Sequence, residues 1–266
     1  MDIKEYNYKS ENDKQNHPWE FARLKVVYDL IEENILSNSE LSKKDSITVL
    51  DIGCGDAFFL DTLSKMIPNI KAYAIDTAFT DESIKYFEEK YSNSSIKFYQ
   101  NIDDANLDNI EADIVLLLDV IEHIEDDVAF LKYLKSKSFI KTNTNFIITI
   151  PAFQSLFCSH DHWLGHYRRY NTKMLRNHLQ EAGYTTEKDG YFFFTLIFPR
   201  WLKVQKEKFI KPDLSEVSGI GDWQGGKFTT NLIAGFLFLD YSISKIKRKF
   251  GIKLPGLSTY SVCQKQ

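Results

Sequence analysis

Two stretches of the chain concentrate side chains able to move protons or hold charge. In DVIEHIEDD, Asp119, Glu122 and His123 stand at i, i+3 and i+4, so a helical turn there would gather two carboxylates and an imidazole on one face. Such a set suits a hard or borderline divalent cation. Without a metal, Glu122 becomes a helix cap and His123 a locally bonded ring or a proton acceptor. In IPAFQSLFCSHDHWLGHYRRY the candidates for a general base or a substrate contact are His160 and His166, with His162 between them. Arg168 and Arg169 follow directly. Guanidinium forks pair bidentately with phosphate or carboxylate, or they brace a loop through its carbonyls, and both readings stand.

A third stretch, VLDIGCGDAFFLDTL, runs an apolar strand into a glycine pair and then into a helical pattern. A dinucleotide loop needs glycine at the sixth position of G-x-G-x-x-G, where a helix start meets pyrophosphate. Counting from Gly53, the sixth residue here is Phe58, and Asp56 puts a negative charge where phosphate would sit. The loop therefore selects a nucleoside without phosphate. Gly53 and Gly55 let a ligand approach the backbone, Asp51 can face a cationic ammonium, and Asp76, ending AYAID, can accept from a ribose diol. Together the two carboxylates favour a cationic aminoacyl nucleoside, the chemistry of S-adenosylmethionine.

The elements that must position these groups alternate along the chain. Apolar runs predict strands at 47–52, 71–75, 96–99, 112–118 and 145–150, with helical patterns at 58–66, 81–90 and 126–137 between them. This rhythm implies a doubly wound α/β fold with a mostly parallel sheet. A helix from Asn171–Thr172 to Gly183, a strand in GYTTEKDGYFFF and a closing strand in GLSTYSVCQK complete it. HPWEFARLKVVYDLIEENIL spaces Phe21, Leu24, Val27, Tyr28, Ile31 and Ile35 as a leading helix. The expected division is one domain over 1–266: a polar tail and leading helix (1–45), a core (46–198), a helical cap insertion (199–255) and a final strand (256–266).

With these motifs in order, the sequence resembles the class I S-adenosylmethionine-dependent methyltransferases over nearly its whole length. LDIGCGDA is similar to the family's acidic glycine-rich loop, AYAID to its ribose-binding strand end, and ADIVLLLDVIEHIEDD to its fourth strand and following turn. Ala57 departs from the pattern, standing where a third glycine is usual. The resemblance implies a Rossmann-like seven-stranded sheet whose last strand is antiparallel. It also implies that Asp51, Gly53 and Gly55 line the methionine part of the cofactor, that Asp76 takes the ribose, that Asn101 and Ile102 border the adenine, and that Asp119 and Val120 border the cofactor's inner face. Ubiquinone-pathway O-methyltransferases and small-RNA 3′-end methyltransferases use a similar acidic-x-x-E-H cluster for a metal. By that likeness His162 would join Asp119, Glu122 and His123 as a ligand. The leading helix resembles one that covers the cofactor in bacterial relatives, which would make Trp19 and Arg23 pocket-closing residues.

Composition sets the outer bounds. With 266 residues, 43% apolar and 14% aromatic, the chain can bury a large core, and a net charge of −4 leaves no footprint for general nucleic-acid binding. The polar start has no secretory signal pattern. Three widely spaced cysteines point away from disulfides and toward the cytoplasm. The longest apolar runs fall far short of the roughly 20 residues that span a bilayer as a helix. The segment FTTNLIAGFLFLDYSISKIKRKFG ends in basic residues. It reads either as a buried cap helix with a dipole-favoured basic end, or as a surface for an anionic membrane or a lipid-linked substrate. The function expected is methyl transfer to an oxygen or nitrogen of a small or lipid- or glycan-linked metabolite. The alternatives are a metal-assisted RNA 3′-end methyltransferase and a non-catalytic cofactor-binding protein.

Overall fold

The computed structural model describes residues 16–37, 40–67, 69–105, 107, 110–210, 212 and 223–266. The expected N-terminal tail and most of the joint between the cap helices lie outside these residues. A seven-stranded sheet is formed by β1 (Ile47–Ile52), β2 (Ile70–Ile75), β3 (Ile96–Tyr99), β4 (Ile114–Leu118), β5 (Asn145–Pro151), β6 (Tyr184–Phe192) and β7 (Ser258–Lys265), in the order β3-β2-β1-β4-β5-β7-β6. β1 to β5 are mutually parallel, and β7 inserts antiparallel to both β5 and β6. β1 and β4 are buried at every position and, apart from Thr48 and Asp51, apolar throughout, whereas β3 and β6 at the edges alternate.

Alternate residues of each central strand feed two cores. Val49, Leu116 and Ile147 face a core shared with α1 (Pro18–Ile31), α2 (Phe58–Met66) and α8 (Lys227–Lys249). Leu50, Val115 and Ile148 face the other, covered by α4 (Asp127–Lys135) and α6 (Thr172–Ala182) through Leu131, Leu134, Leu175 and Leu179. The remaining helices are α3 (Asp81–Lys90), α5 (Ser159–Leu164) and α7 (Ile197–Phe209). α1 begins at Pro18 with a capping box in which His17 N–H donates to Glu20 at 2.8 Å. It is tied to α8 where Tyr241 and Lys245 donate to Asp29 at 2.7 and 2.8 Å.

Two sequence readings change. α8 is not a buried cap helix: only one face packs inward, and Phe228, Phe236 and Ile246 on the other are more than half exposed. The turn after β4 is not an α-helix either. Asp119 has φ +59°, a short 3₁₀ turn covers Ile121–His123, and α4 starts only at Asp127. The i, i+3, i+4 geometry expected of Asp119, Glu122 and His123 is therefore absent.

The β1–α2 turn is held against the sheet by Gly53 N–H, which donates to Ile75 O at 2.7 Å, and by Gly55 N–H, which donates to Asp76 at 2.8 Å. Gly53, Gly55 and Ala57 all have left-handed backbones, so the missing third glycine is a position where alanine carries positive φ. A Cβ on Gly53 would lie 2.6 Å from a Val120 methyl. Gly53→Ala is expected to lower unfolding free energy by about 2 kcal/mol or more, from left-handed strain of roughly 1–2 kcal/mol plus this clash. Ala57→Gly relieves similar strain and loses one buried methyl worth about 0.8 kcal/mol, so its net change stays small. Chemical denaturation of the two variants side by side checks this contrast; equal behaviour would show that the two positions are not distinguished by Val120.

Candidate active site

The carboxyl ends of β1, β2, β4 and β5 open into a cavity of about 1040 Å³, where ligands of open α/β sheets bind. α1 closes one side: Trp19 and Arg23 line the cavity, Arg23 lies over the Trp19 ring at 4.4 Å, and its guanidinium pairs with Asp119 at the end of β4. Asp51, Gly53, Gly55, Asp76, Asn101, Ile102, Asp119 and Val120 all line the same cavity. Asp76 is oriented by two backbone donors, Gly55 N–H and Ala78 N–H at 2.8 and 2.9 Å.

Asp51 is the informative member of this group. It is 1% exposed, and its Oδ1 has no hydrogen-bond partner among the described residues. Burial pushes its carboxyl from the ordinary 3.8 up to about 7, against the pull of Arg23. A buried acceptor without a donor is costly, and a cationic ammonium beside Asp51 would satisfy it. The residues present thus fit an aminoacyl nucleoside.

A second group lies beyond β4 and β5. α5 is six residues long and opens with a capping box, Cys158 N–H donating to Asp161 Oδ2 at 2.8 Å. Gly165, at φ +80°, ends the helix and turns the chain back, so that His166 N–H donates to Asp161 O at 2.9 Å. The His166 ring then meets the Asp161 carboxylate, Nδ1 to Oδ1 at 3.1 Å. Arg169 donates through Nε to Oδ1 at 2.8 Å, and Arg200 of α7 adds a donor to Oδ2 at 2.5 Å. Burial works to raise the Asp161 pKa, but the bonds from His166, Arg169 and Arg200 win and hold it well below the carboxylate range. An ionised Asp161 fixes the His166 proton on Nδ1 and leaves Nε2 as an acceptor.

Glu122, His123 and His166 converge, with one potential ligand atom from each lying within 4.8 Å of the others. The two imidazoles meet edge to face at 4.5 Å between centroids. Glu122 is fully buried, and neither carboxyl oxygen has a partner among the described residues. Burial and then Asp119 push its pKa well above the usual range, favouring the neutral acid. His160 also lines the cavity. Burial, followed by the charges of Arg200 and Lys203, takes its pKa down to about 4, so it is neutral near pH 7.

Three expected roles are displaced. His162 is exposed on the outer side of α5, its ring against Phe157 at 4.8 Å, and it does not line the cavity. Asp119 is engaged by Arg23 and is not among the residues whose ligand atoms converge with Glu122. Arg168 turns away from the cavity to donate to Glu125 O at 2.5 Å and to pair with Asp127 at 3.3 Å. Arg169 does line the cavity, but its guanidinium is committed to Asp161 and to Ala152 O at 3.2 Å. Sequence reasoning assigned no role to Arg200 or Lys203, which line the cavity from α7, nor to Asp161 as the anchor of His166. The signal for Arg200 was a lone cation in the aromatic run YFFFTLIFPRWL.

Comparison with known proteins agrees with this geometry. Residues 19–189 match a family described as a methyltransferase domain, and the chain belongs to that family. It is an S-adenosylmethionine-dependent methyltransferase. No curated protein matches the sequence at a significant level. Among solved structures, the chain is similar to coclaurine N-methyltransferase bound to N-methylheliamine and SAH, with a TM-score of 0.56 and 12% identity over 97% of this chain and 74% of that one. It is also similar to the [4+2]-cyclase SpnF, with a TM-score of 0.53 and 15% identity over 96% of this chain and 84% of that one. A SAM-dependent methyltransferase from Archaeoglobus fulgidus gives a TM-score of 0.47 at 18% identity, covering 91% of this chain and 94% of that one. The first two likenesses show the shared fold. That one of them is a cyclase illustrates why fold alone does not name a reaction.

A cationic ligand seated beside Asp51 would bind in a pH-dependent way. In the protein alone, the raised pKa of Asp51 means that the folded chain holds the proton more tightly than the unfolded chain, so stability falls as pH rises from about 4 to about 7. Binding of a cation has the opposite slope, because it needs the ionised carboxylate. Calorimetric titration with S-adenosylmethionine is expected to show affinity rising as pH climbs toward and through about 7. Asp51→Asn should flatten that profile and weaken binding roughly tenfold or more; an unchanged profile would remove Asp51 from the cofactor site.

Proposed function

We propose that the enzyme methylates a hydroxyl oxygen of a small or lipid-linked metabolite, with His166 as general base. The observation that carries this reading is the His166–Asp161 pair at the cavity. A hydroxyl keeps its proton at neutral pH and so needs a base as it attacks, whereas alignment alone serves a free amine. His166 meets that need through Nε2, its Nδ1–H being held by the ionised Asp161. His160 is the weaker base, because its depressed pKa leaves little affinity for a proton. His123 and the neutral Glu122 sit beside His166, where they can orient the acceptor.

S-adenosylmethionine, when bound, supplies an electrophilic methyl carbon on a positively charged sulfur. In this reading Asp51, Gly53 and Gly55 hold its methionine part, Asp76 its ribose, Asn101 and Ile102 its adenine, and Asp119 and Val120 the face toward the acceptor. Lys203 then receives an anionic group of the acceptor, backed by the positive charge that Arg169 and Arg200 together keep beyond that of Asp161. Buried, unpaired Cys54, Cys158 and Cys263 support placement in the reducing cytoplasm. Among the described residues no helix is long and apolar enough to cross a membrane.

Tritiated methyl transfer into fractionated cell extract tests the reaction and identifies the acceptor. Label on oxygen is expected, and His166→Asn should lower kcat about 10²- to 10⁴-fold while leaving the KM for the cofactor little changed. Label on nitrogen with kcat unaffected by that substitution would overturn the assignment of the base. Cofactor binding with no labelled product from any fraction would favour the non-catalytic alternative.

The convergence of Glu122, His123 and His166 supports a second reading, in which these three hold a divalent cation that polarises the acceptor oxygen. Asp161 stands behind His166 as carboxylates do behind metal-bound histidines. Kinetics of chelator-treated enzyme with added magnesium, manganese or zinc distinguish the two. The base reading expects full activity without added cation, and the metal reading expects activity restored only by one of them.

A further inference from the structure

α8 has two faces of opposite character. Thr230, Ala234, Leu237, Tyr241 and Ser244 pack inward. On the other side Phe228, Leu232, Phe236, Leu239, Ile243 and Ile246 recur every three or four residues, the spacing of one helical face, and each is between 44% and 82% exposed. α7 repeats the pattern over a shorter length, with Phe198, Trp201 and Leu202 between 45% and 63% exposed and Phe209 at 88%. Scattered exposed apolar residues need no explanation, but a continuous stripe along a helix marks an interaction surface.

The charges on these two helices are sorted as well. Their only carboxylates turn inward: Glu207 accepts from Ser159 N–H and Oγ at 2.9 and 2.6 Å, and Asp240 accepts from Thr195 N–H and Oγ1 at 2.8 and 2.7 Å. Lys206 and Lys208 on α7, and Lys247 and Lys249 on α8, are exposed. In a chain of net charge −4, each of these helices therefore has an outward side that is apolar and cationic at once. A second copy of the chain would match the apolar stripe but bring like charges together. A bilayer with anionic headgroups matches both, apolar side chains entering the acyl boundary and ammonium groups meeting phosphate.

The same two helices wall the cavity from inside, α7 through Arg200 and Lys203 and α8 through Ile233 and Leu237. We propose that α7 and α8 form an interfacial docking face that rests on an anionic bilayer and sets the cavity beside the membrane surface. Docking stands on the exposed face alone. Delivery of an amphiphilic acceptor from the membrane to His166 rests on the reading of the reaction given above.

Flotation of the full chain with vesicles tests docking without any acceptor. The protein is expected to float with vesicles of phosphatidylcholine and phosphatidylglycerol in equal parts, less so as salt is raised, and weakly with phosphatidylcholine alone. The pair Leu232→Ser and Phe236→Ser should lower partitioning by about tenfold or more with an unchanged thermal melt. Lys247→Gln with Lys249→Gln should lower it several-fold on the anionic vesicles only. His166→Asn should float like the parent, which keeps failure of docking separate from failure of the reaction. Protein that stays soluble with both vesicle types would overturn the proposal. So would flotation indifferent to all four surface substitutions. A dimer in sedimentation velocity that the serine pair converts to monomer would assign the face to a second copy instead.

Discussion

The charge of one buried carboxylate organises the α7 side of the cavity. Asp161 is fully buried, and an ion there is tolerable only if it is paired and hydrogen-bonded on every side. Its partners come from separate parts of the fold: Cys158 N–H at the start of α5, His166 after its end, Arg169 on the strand-like return, and Arg200 on α7. Arg169 and Arg200 also donate to Ala152 O and Leu156 O, so the same guanidinium groups clamp the loop that leaves β5. One negative charge thus fixes the tautomer of His166 and anchors α7 to the sheet. Because two arginines share one carboxylate, the cluster keeps an excess positive charge on the cavity wall.

Strain marks the same rim. β4, β5 and β6 are each followed within two residues by a non-glycine residue of positive φ, namely Asp119, Phe153 and Phe193. Such backbones cost on the order of 1–3 kcal/mol each and persist where the surroundings over-determine them. Asp119 is held by Arg23 through its side chain and by Thr149 O through its N–H, at 2.8 Å. Phe153 N–H donates to Tyr170 O at 2.8 Å, and Phe193 O accepts from Leu257 N–H at 3.1 Å. The sharp exits end the strands together and make room for the cavity, with packing of the two cores holding them in place.

Much of this was legible in the sequence, for identifiable reasons. Central parallel strands are mostly apolar and half-covered edge strands alternate, so β1 and β3 stand where the runs 47–52 and 96–99 predicted them, and α2 and α3 where 58–66 and 81–90 did. Asn171 and Gly183 marked the ends of α6 because a side-chain cap and a left-handed exit are local chemistry. The placement of the histidines was not local. His162 and His166 are four apart and would share a face if α5 continued, but Gly165 ends it and sends only His166 back to Asp161. Arg168 and Arg169 face opposite ways because adjacent residues of an extended backbone do so; one reaches Asp127 and the other Asp161. The left-handed turn at Asp119 depends on contacts from α1 and β5 that no window of sequence around it contains.

The cavity that results is electrically divided. Asp51, Asp76 and Asp119 stand at the ends of β1, β2 and β4, and the excess charge of the Arg169–Arg200 pair with Lys203 stands on the α7 side, with Glu122, His123 and His166 between. A cation is drawn to the first end and an anion to the second, since fields inside a walled cavity are poorly screened. Arg23 is the exception at the acidic end, and its partner explains it. Its bond to Asp119 leaves Asp51 Oδ1 without a donor among the described residues, and it fastens α1 over the cavity in the same contact. The closure of the cavity by the first helix and the charge balance at its acidic end therefore share one ion pair between that helix and the end of the fourth strand.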